Sequence, residues 1–312
     1  MGGSDMQQPQ LQFLPVGGPA ARGGGHRRMA YWDWPNTAGS ACHHVVICVH
    51  GLTRQGRDFD VLAQALAPRS RVLAVDVAGR GHSDWLADPM AYQVGSYAAD
   101  LGALVTHVRA EMPEAAIDWV GTSMGGLIGM VIAAQPAFAP RRLVLNDVGP
   151  VIQRAALQRI GTYLGKNPSF DSEQQATEYL ASISTGFGPH SAEQWLALSR
   201  PMLRERAGRW WLHYDPAIAV PFQALSTGAD AAAVHKAVQE AEAALWGQYD
   251  AITAPTLLLR GADSDLLTRE TAVEMATRGP KARCVEFVGV GHAPTLVVSD
   301  QVAVVRNFLW TP

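Results

Sequence analysis

The sequence predicts an α/β fold: a mostly parallel central sheet covered by helices on both faces. Short apolar runs of strand length alternate with helical patterns along most of the chain, and that alternation belongs to crossover-linked parallel strands. Runs such as Val45-Val46-Ile47-Cys48-Val49 are apolar at every position, as expected of strands buried on both faces. The run 116–120 passes directly into Gly121-Thr-Ser-Met-Gly125 and then into a helical stretch, the strand–turn–helix order of a nucleophile elbow.

Taken in order, residues 1–25 are rich in Gly, Gln and Pro and are expected to form a flexible tail. Residues 26–34 alternate as an edge strand, closed by Pro35. The strand at 45–49 leads to a helix over 57–67, whose Phe59, Leu62 and Leu66 share a face, and Pro68 ends it. A strand at 71–76 runs into the glycine-rich turn 78–84, and residues 92–110 read as a helix. After the elbow strand, 127–134 is helical and stops near Pro136; a short strand follows at 142–146.

The pattern then changes. Over 148–248 apolar runs of strand type vanish, and amphipathic helical stretches with many aromatics replace them, which predicts a helical cap over the sheet. Residues 26–147 and 249–312 form the predicted core, with strands at 255–260 and 284–288 and helices at 269–277 and 299–309.

Composition excludes several classes. Of 312 residues, 48% are hydrophobic and 17% charged, which suits a globular enzyme with a sizeable core. A net charge of -3 without a basic stripe gives no basis for binding nucleic acid or an anionic membrane. The three cysteines, Cys42, Cys48 and Cys284, have spacings that suit neither zinc nor a disulfide framework. No metal cluster, P-loop or dinucleotide motif occurs, so no cofactor is expected; Gly79-Arg80-Gly81-His82 is a turn that opens no Gly-x-Gly-x-x-Gly helix. With no secretory pattern at the N-terminus and no long apolar run, the expectation is a cytoplasmic protein acting on a small molecule.

In a parallel sheet the loops after the strands converge on one edge. Here they carry His50-Gly51-Leu52, Ser123, Asp263 with Asp265, and His292. A serine hydroxyl needs a neighbouring base to become a nucleophile, and histidine needs a carboxylate to hold its tautomer. Ser123 is therefore the candidate nucleophile and His292, placed after the last strand, the candidate base. For the acid, Asp265 is favoured, with Asp263 and Asp147 as alternatives; Asp147 directly follows the strand at 142–146. The amides of Met124 and Leu52 are candidates for the oxyanion hole, with His50 holding the loop by hydrogen bonds. Arg54 is either a surface arginine or a ligand for a substrate carboxylate.

These motifs together resemble the α/β-hydrolase family over about residues 26–310: His50-Gly51, Asp76-Val-Ala-Gly-Arg-Gly-His-Ser-Asp84, Gly121-Thr-Ser-Met-Gly125, the strand before Asp265, and Gly291-His292. The resemblance implies an eight-stranded sheet, a helical cap after the sixth strand, a Ser123–His292–Asp265 triad and an oxyanion hole from Leu52 and Met124. Haloalkane dehalogenases and epoxide hydrolases of this fold use an aspartate at the elbow, so Ser123 argues against those reactions. The expected activity is that of a carboxylesterase on small or medium esters, lactones or short polyester oligomers, with Trp210, Trp211 and Tyr214 either lining an apolar pocket or packing cap on core. Three other readings share the fold: a carbon–carbon hydrolase of aromatic ring-cleavage products, an acyltransferase, and a non-catalytic ligand receptor.

Overall fold

A computed structural model describes residues 8–37, 43–224 and 231–311. Strands β1 (Gln10–Val16) and β2 (Arg27–Trp34) come first, followed by β3 (His44–Val49), α1 (Asp60–Leu66) and β4 (Arg71–Asp76). Next are α2 (Val94–Glu111), β5 (Ala116–Thr122), α3 (Met124–Ala133) and β6 (Arg142–Asn146). The segment between β6 and the next core strand holds α4 (Arg154–Gly161), β7 (Ser169–Phe170), α5 (Glu173–Ile183), α6 (Ala192–Ser199), β8 (Leu203–Arg206), β9 (Arg209–Leu212), α7 (Val220–Ala224) and α8 (Ala231–Asp250). The chain closes with β10 (Thr256–Gly261), α9 (Arg269–Met275), β11 (Arg283–Phe287) and α10 (Ser299–Trp310).

The expected mostly parallel sheet is present, with eight strands in the order β1-β2-β4-β3-β5-β6-β10-β11. Only the β1–β2 and β2–β4 pairings are antiparallel. Because both faces are covered, successive residues of a strand supply opposite cores. In β3, Val45, Ile47 and Val49 enter the cluster under α2 and α3, while Val46 and Cys48 enter the one under α1 and α10. The free thiol of Cys48 is accordingly buried and that of Cys284 exposed; Cys42 lies outside the described residues.

Two expectations are corrected. Residues 10–16, assigned to a flexible tail, form β1, paired with β2 from Gln10↔Asp33 to Val16↔Arg27. Main-chain bonding to a free strand edge orders the segment, and Pro15 is tolerated because β1 lies at the sheet edge. The strand at 26–34 is thereby second in the sheet. Residues 1–7 of the expected tail lie outside the described residues.

The segment expected to be a helical cap also contains a three-stranded antiparallel sheet, β7-β9-β8. Ala207 and Gly208 both have positive φ, 52° and 70°, and close the β8–β9 hairpin in two residues. Such a turn matches the twist of its strands, and the Gly at 208 was its only strong sequence signal. Among the described residues, no helix is long and apolar enough to cross a membrane.

Candidate active site

Strand β5 ends at Thr122, α3 begins at Met124, and Ser123 makes the turn between them with φ 52° and ψ −117°. That backbone is strained for a residue with a side chain, and it throws the hydroxyl clear of the strand. The flanking glycines are steric necessities. A Cβ at Gly121 would sit 2.2 Å from the carbonyl oxygen of Gly125, and one at Gly125 would sit 2.0 Å from that of Val49. The Ser123 amide is held by the Asn146 carbonyl at 2.9 Å, which ties the elbow to the end of β6.

His292 lies on the loop after β11 and brings Nε2 to 2.9 Å from Ser123 Oγ. Its Nδ1 is 2.7 Å from Oδ2 of Asp147. A carboxylate only accepts, so the proton sits on Nδ1 and Nε2 is left to accept from the serine. Asp147 is fully buried and adopts φ 54°, a conformation Asp reaches more readily than most residues. It also accepts from the Gly261 amide at 2.8 Å and from Ser264 Oγ at 2.6 Å. Asn146 Nδ2 donates to the Pro294 carbonyl at 2.8 Å and so ties the histidine loop to the same strand end.

The acid favoured from sequence is therefore not the one against the histidine. Asp265 is engaged by Arg159 of α4, whose Nε and Nη2 reach its two oxygens at 2.6 and 2.9 Å. Burial raises the Asp265 carboxyl, but the Arg159 bonds and charge outweigh it and hold the group below its usual range. Asp263 joins the loop through its backbone amide, bonded to the Val290 carbonyl at 2.9 Å. The positions after β6 and after β10 are neighbours because those strands pair, and sequence alone does not reveal which side chain turns inward.

The loop after β3 is locked from behind. His50 Nδ1 donates to the Gly51 carbonyl at 2.7 Å, while its Nε2 accepts from the Val77 amide at 3.0 Å. Burial pushes the imidazole down to about 3, so it stays neutral and keeps this donor–acceptor pattern. In a trans peptide N–H and C=O point oppositely, so fixing the Gly51 carbonyl aims the Leu52 N–H the other way. The Leu52 amide has no acceptor among the described residues, and the Met124 amide, at the first position of α3, has no intrahelical one.

The cleft at Ser123 is lined by His50, Leu52 and Arg54 from the core and by Ile160, Tyr163, Leu180, Ile183, Phe187 and Leu198 from the segment between β6 and β10. Arg54 is spent: it donates to both oxygens of Asp58, at 2.7 and 2.6 Å, and to the Leu198 carbonyl at 2.9 Å. Trp210, Trp211 and Tyr214 do not line this cleft. The two tryptophans belong to β9, and Tyr214 is buried with its hydroxyl on the Lys166 carbonyl at 3.0 Å. Strand β9 is the middle strand of the small sheet, and Trp210 and Tyr214 pack into the apolar cluster shared with α2 and α3. Among the described residues no group of His, Cys, Asp and Glu could hold a metal ion.

A parallel sheet with a serine elbow and a histidine loop at one edge defines a class of hydrolases, and comparison with known proteins agrees. Residues 46–306 match the model of the alpha/beta hydrolase family, and the chain belongs to that family. It is an enzyme, a hydrolase. The chain is 45% identical over 304 residues to the 3-hydroxybutyrate-oligomer hydrolase of Cupriavidus necator, covering 96% of this chain and 97% of that one. It is 27% identical to the esterase Rv0045c of Mycobacterium tuberculosis over 85% of this chain and 83% of that one. A crystal structure of an alpha/beta hydrolase from Novosphingobium aromaticivorans superposes with a TM-score of 0.79 at 32% identity, covering 97% of this chain and 99% of that one.

Proposed function

We propose that this chain is a serine esterase that hydrolyses short oligomers of hydroxy acids through a Ser123–His292–Asp147 triad and an acyl-enzyme. The single observation that carries the reading is the continuous relay from Ser123 Oγ through His292 to the buried Asp147 carboxylate, 2.9 and 2.7 Å long. It acts on ester bonds. Ser123 Oγ attacks the ester carbonyl while His292 Nε2 takes the hydroxyl proton, and the electron pair of the C=O becomes an oxyanion facing the Leu52 and Met124 amides. The oxyanion collapses, the ester C–O bond breaks, and His292 returns the proton to the departing alcohol. Water, deprotonated by His292, then cleaves the acyl-enzyme and restores Ser123.

The substrate class rests on the similarity to the Cupriavidus necator enzyme over nearly the whole of both chains. A cleft walled by Ile160, Leu180, Ile183 and Phe187 suits a short aliphatic acyl unit. The carbon–carbon hydrolase reading, which would use Arg54 or an arginine of the inserted segment as carboxylate ligand, gains no observation of its own, since Arg54 is occupied by Asp58 and Leu198 and Arg159, which also lines the cleft, by Asp265. The test is release of 3-hydroxybutyrate from its dimer and trimer, run beside p-nitrophenyl esters from acetate to decanoate. Ser123→Ala should lower kcat on all of them by about three orders of magnitude or more. Activity on p-nitrophenyl esters with none on the oligomers would remove the substrate assignment and leave the esterase. Activity that survives Ser123→Ala would remove the mechanism.

A further inference from the structure

The turn Gly79-Arg80-Gly81-His82, which opens no nucleotide site, places a fully buried guanidinium behind the oxyanion loop. Arg80 Nε donates to the Leu52 carbonyl at 2.8 Å, Nη1 to the Ala78 carbonyl at 2.7 Å and to Tyr97 Oη at 2.9 Å, and Nη2 approaches Met124 Sδ at 3.6 Å. All of these partners are neutral, and Arg80 has no carboxylate partner among the described residues. The rings of Tyr97 and Tyr92 lie 5.1 and 5.8 Å from its carbon centre and supply part of the lost solvation. A buried cation without an anion costs stability, so a chain that keeps one has a use for its charge.

We propose that Arg80 is a positioning residue of the oxyanion hole, clamping Leu52 and Met124 together and directing an uncompensated positive charge at the site where the oxyanion forms. This rests on the serine-esterase reading above. Leu52 is held on both sides of its α-carbon: His50 fixes the peptide before it through the Gly51 carbonyl, and Arg80 fixes the peptide after it through the Leu52 carbonyl. Met124, the other donor, is touched by the same guanidinium through its thioether. Because the charge is buried among neutral groups, its field on a developing oxyanion is weakly screened. The turn itself is fastened from outside by the cap. Gly81 N donates to the His213 carbonyl at 3.1 Å, and Asp215 N donates to the Gly79 carbonyl at 2.7 Å. Cap residues thus hold the turn that carries the guanidinium.

The experiment measures kcat and KM on p-nitrophenyl butyrate for wild type, Arg80→Lys, Arg80→Gln and Arg80→Met, with melting curves to confirm folding. It adds the inhibition constants of a trifluoromethyl ketone and of butyrate. The ketone reacts with Ser123: the Oγ–C bond forms, the carbonyl pair becomes an oxyanion in the hole, and the serine proton passes to His292. Arg80→Met should lower kcat by about 10- to 100-fold with KM changed by no more than about twofold. The ketone should weaken in proportion to kcat/KM while butyrate binding stays level. Arg80→Lys should recover part of the loss, since it restores the charge but not the planar fork. If Arg80→Met does not fold, the Lys and Gln variants decide by the same criteria. Unchanged kcat in folded variants, or a loss confined to KM, would overturn the proposal. Ser123→Ala separates the two ideas: if it stays active the esterase reading fails, and if it is dead while Arg80 variants work normally, only this inference fails.

Discussion

Asp147 and Asp265 follow neighbouring strands, and the difference between them is which carboxylate reaches Nδ1 of His292. With Asp147 there at 2.7 Å, Asp147→Asn should cut kcat by roughly 10³- to 10⁴-fold, because the amide no longer selects the Nδ1–H tautomer or stabilises the imidazolium. Asp265→Asn, which loosens only a half-exposed pair with Arg159, should cost less than about tenfold. Steady-state kinetics of the two variants check this, and the reverse order would return the acid role to Asp265. His50 offers a test through pH. Its folded-state value of about 3 lies far below that of the unfolded chain, so the stability it provides is whole above pH 6.5 and is lost as the pH falls towards 3. Wild type should therefore lose stability relative to His50→Gln by up to about 1.4 kcal/mol per pH unit between pH 6 and 4, read from urea melts. A gap that does not change with pH would mean that His50 is not held neutral.

At the scale of elements, the elbow depends on how closely β5, α3 and β3 approach. Gly125 sits where a methyl group would lie 2.0 Å from the Val49 carbonyl, a backbone atom that cannot rotate away. Gly125→Ala should give no folded protein or a destabilisation above about 4 kcal/mol, measured by denaturant melts, because either α3 or β3 must shift. A folded variant with wild-type kcat would show that the close approach is not needed. The same elements explain what the sequence revealed. The strands at 71–76 and 142–146 coincide with β4 and β6, and the one at 255–260 is offset by one residue from β10, since runs apolar on both faces have a single burial solution in a parallel sheet. Strand β1 and the hairpin of β8 and β9 were missed because their order comes from main-chain pairing with a neighbouring strand and not from a run apolar at every position.

Over the whole molecule, the segment between β6 and β10 does not stand apart. Ala156, Ile160, Leu180, Met202, Leu212 and Trp246 from it share one apolar cluster with Leu101, Trp119 and Ile128 of the core. Ion pairing adds to this contact: Asp215 receives Arg22 and the hydroxyl of Tyr92. Continuous burial of this kind makes unfolding cooperative. Calorimetry should show one transition whose calorimetric and van't Hoff enthalpies agree, and two resolved transitions would mean that the segment between β6 and β10 melts separately.

What the sequence by itself determined was whatever depends on local pattern: the alternation of strands and helices, the elbow at Ser123, the histidine after the last strand, and the loop after β3. Each is written in contiguous residues, because a strand buried on two faces and a turn between glycines leave a local signature. Only the tertiary structure brought Asp147 and not Asp265 against His292, drew Arg54 to Asp58, left Trp210 and Trp211 out of the cleft lining, and set Arg80 behind Leu52. Those outcomes depend on which strand ends are neighbours and which way a side chain turns at the end of its strand. Residues 114 or more positions apart, such as Asp147 with Gly261 and with His292, meet only when the sheet has formed.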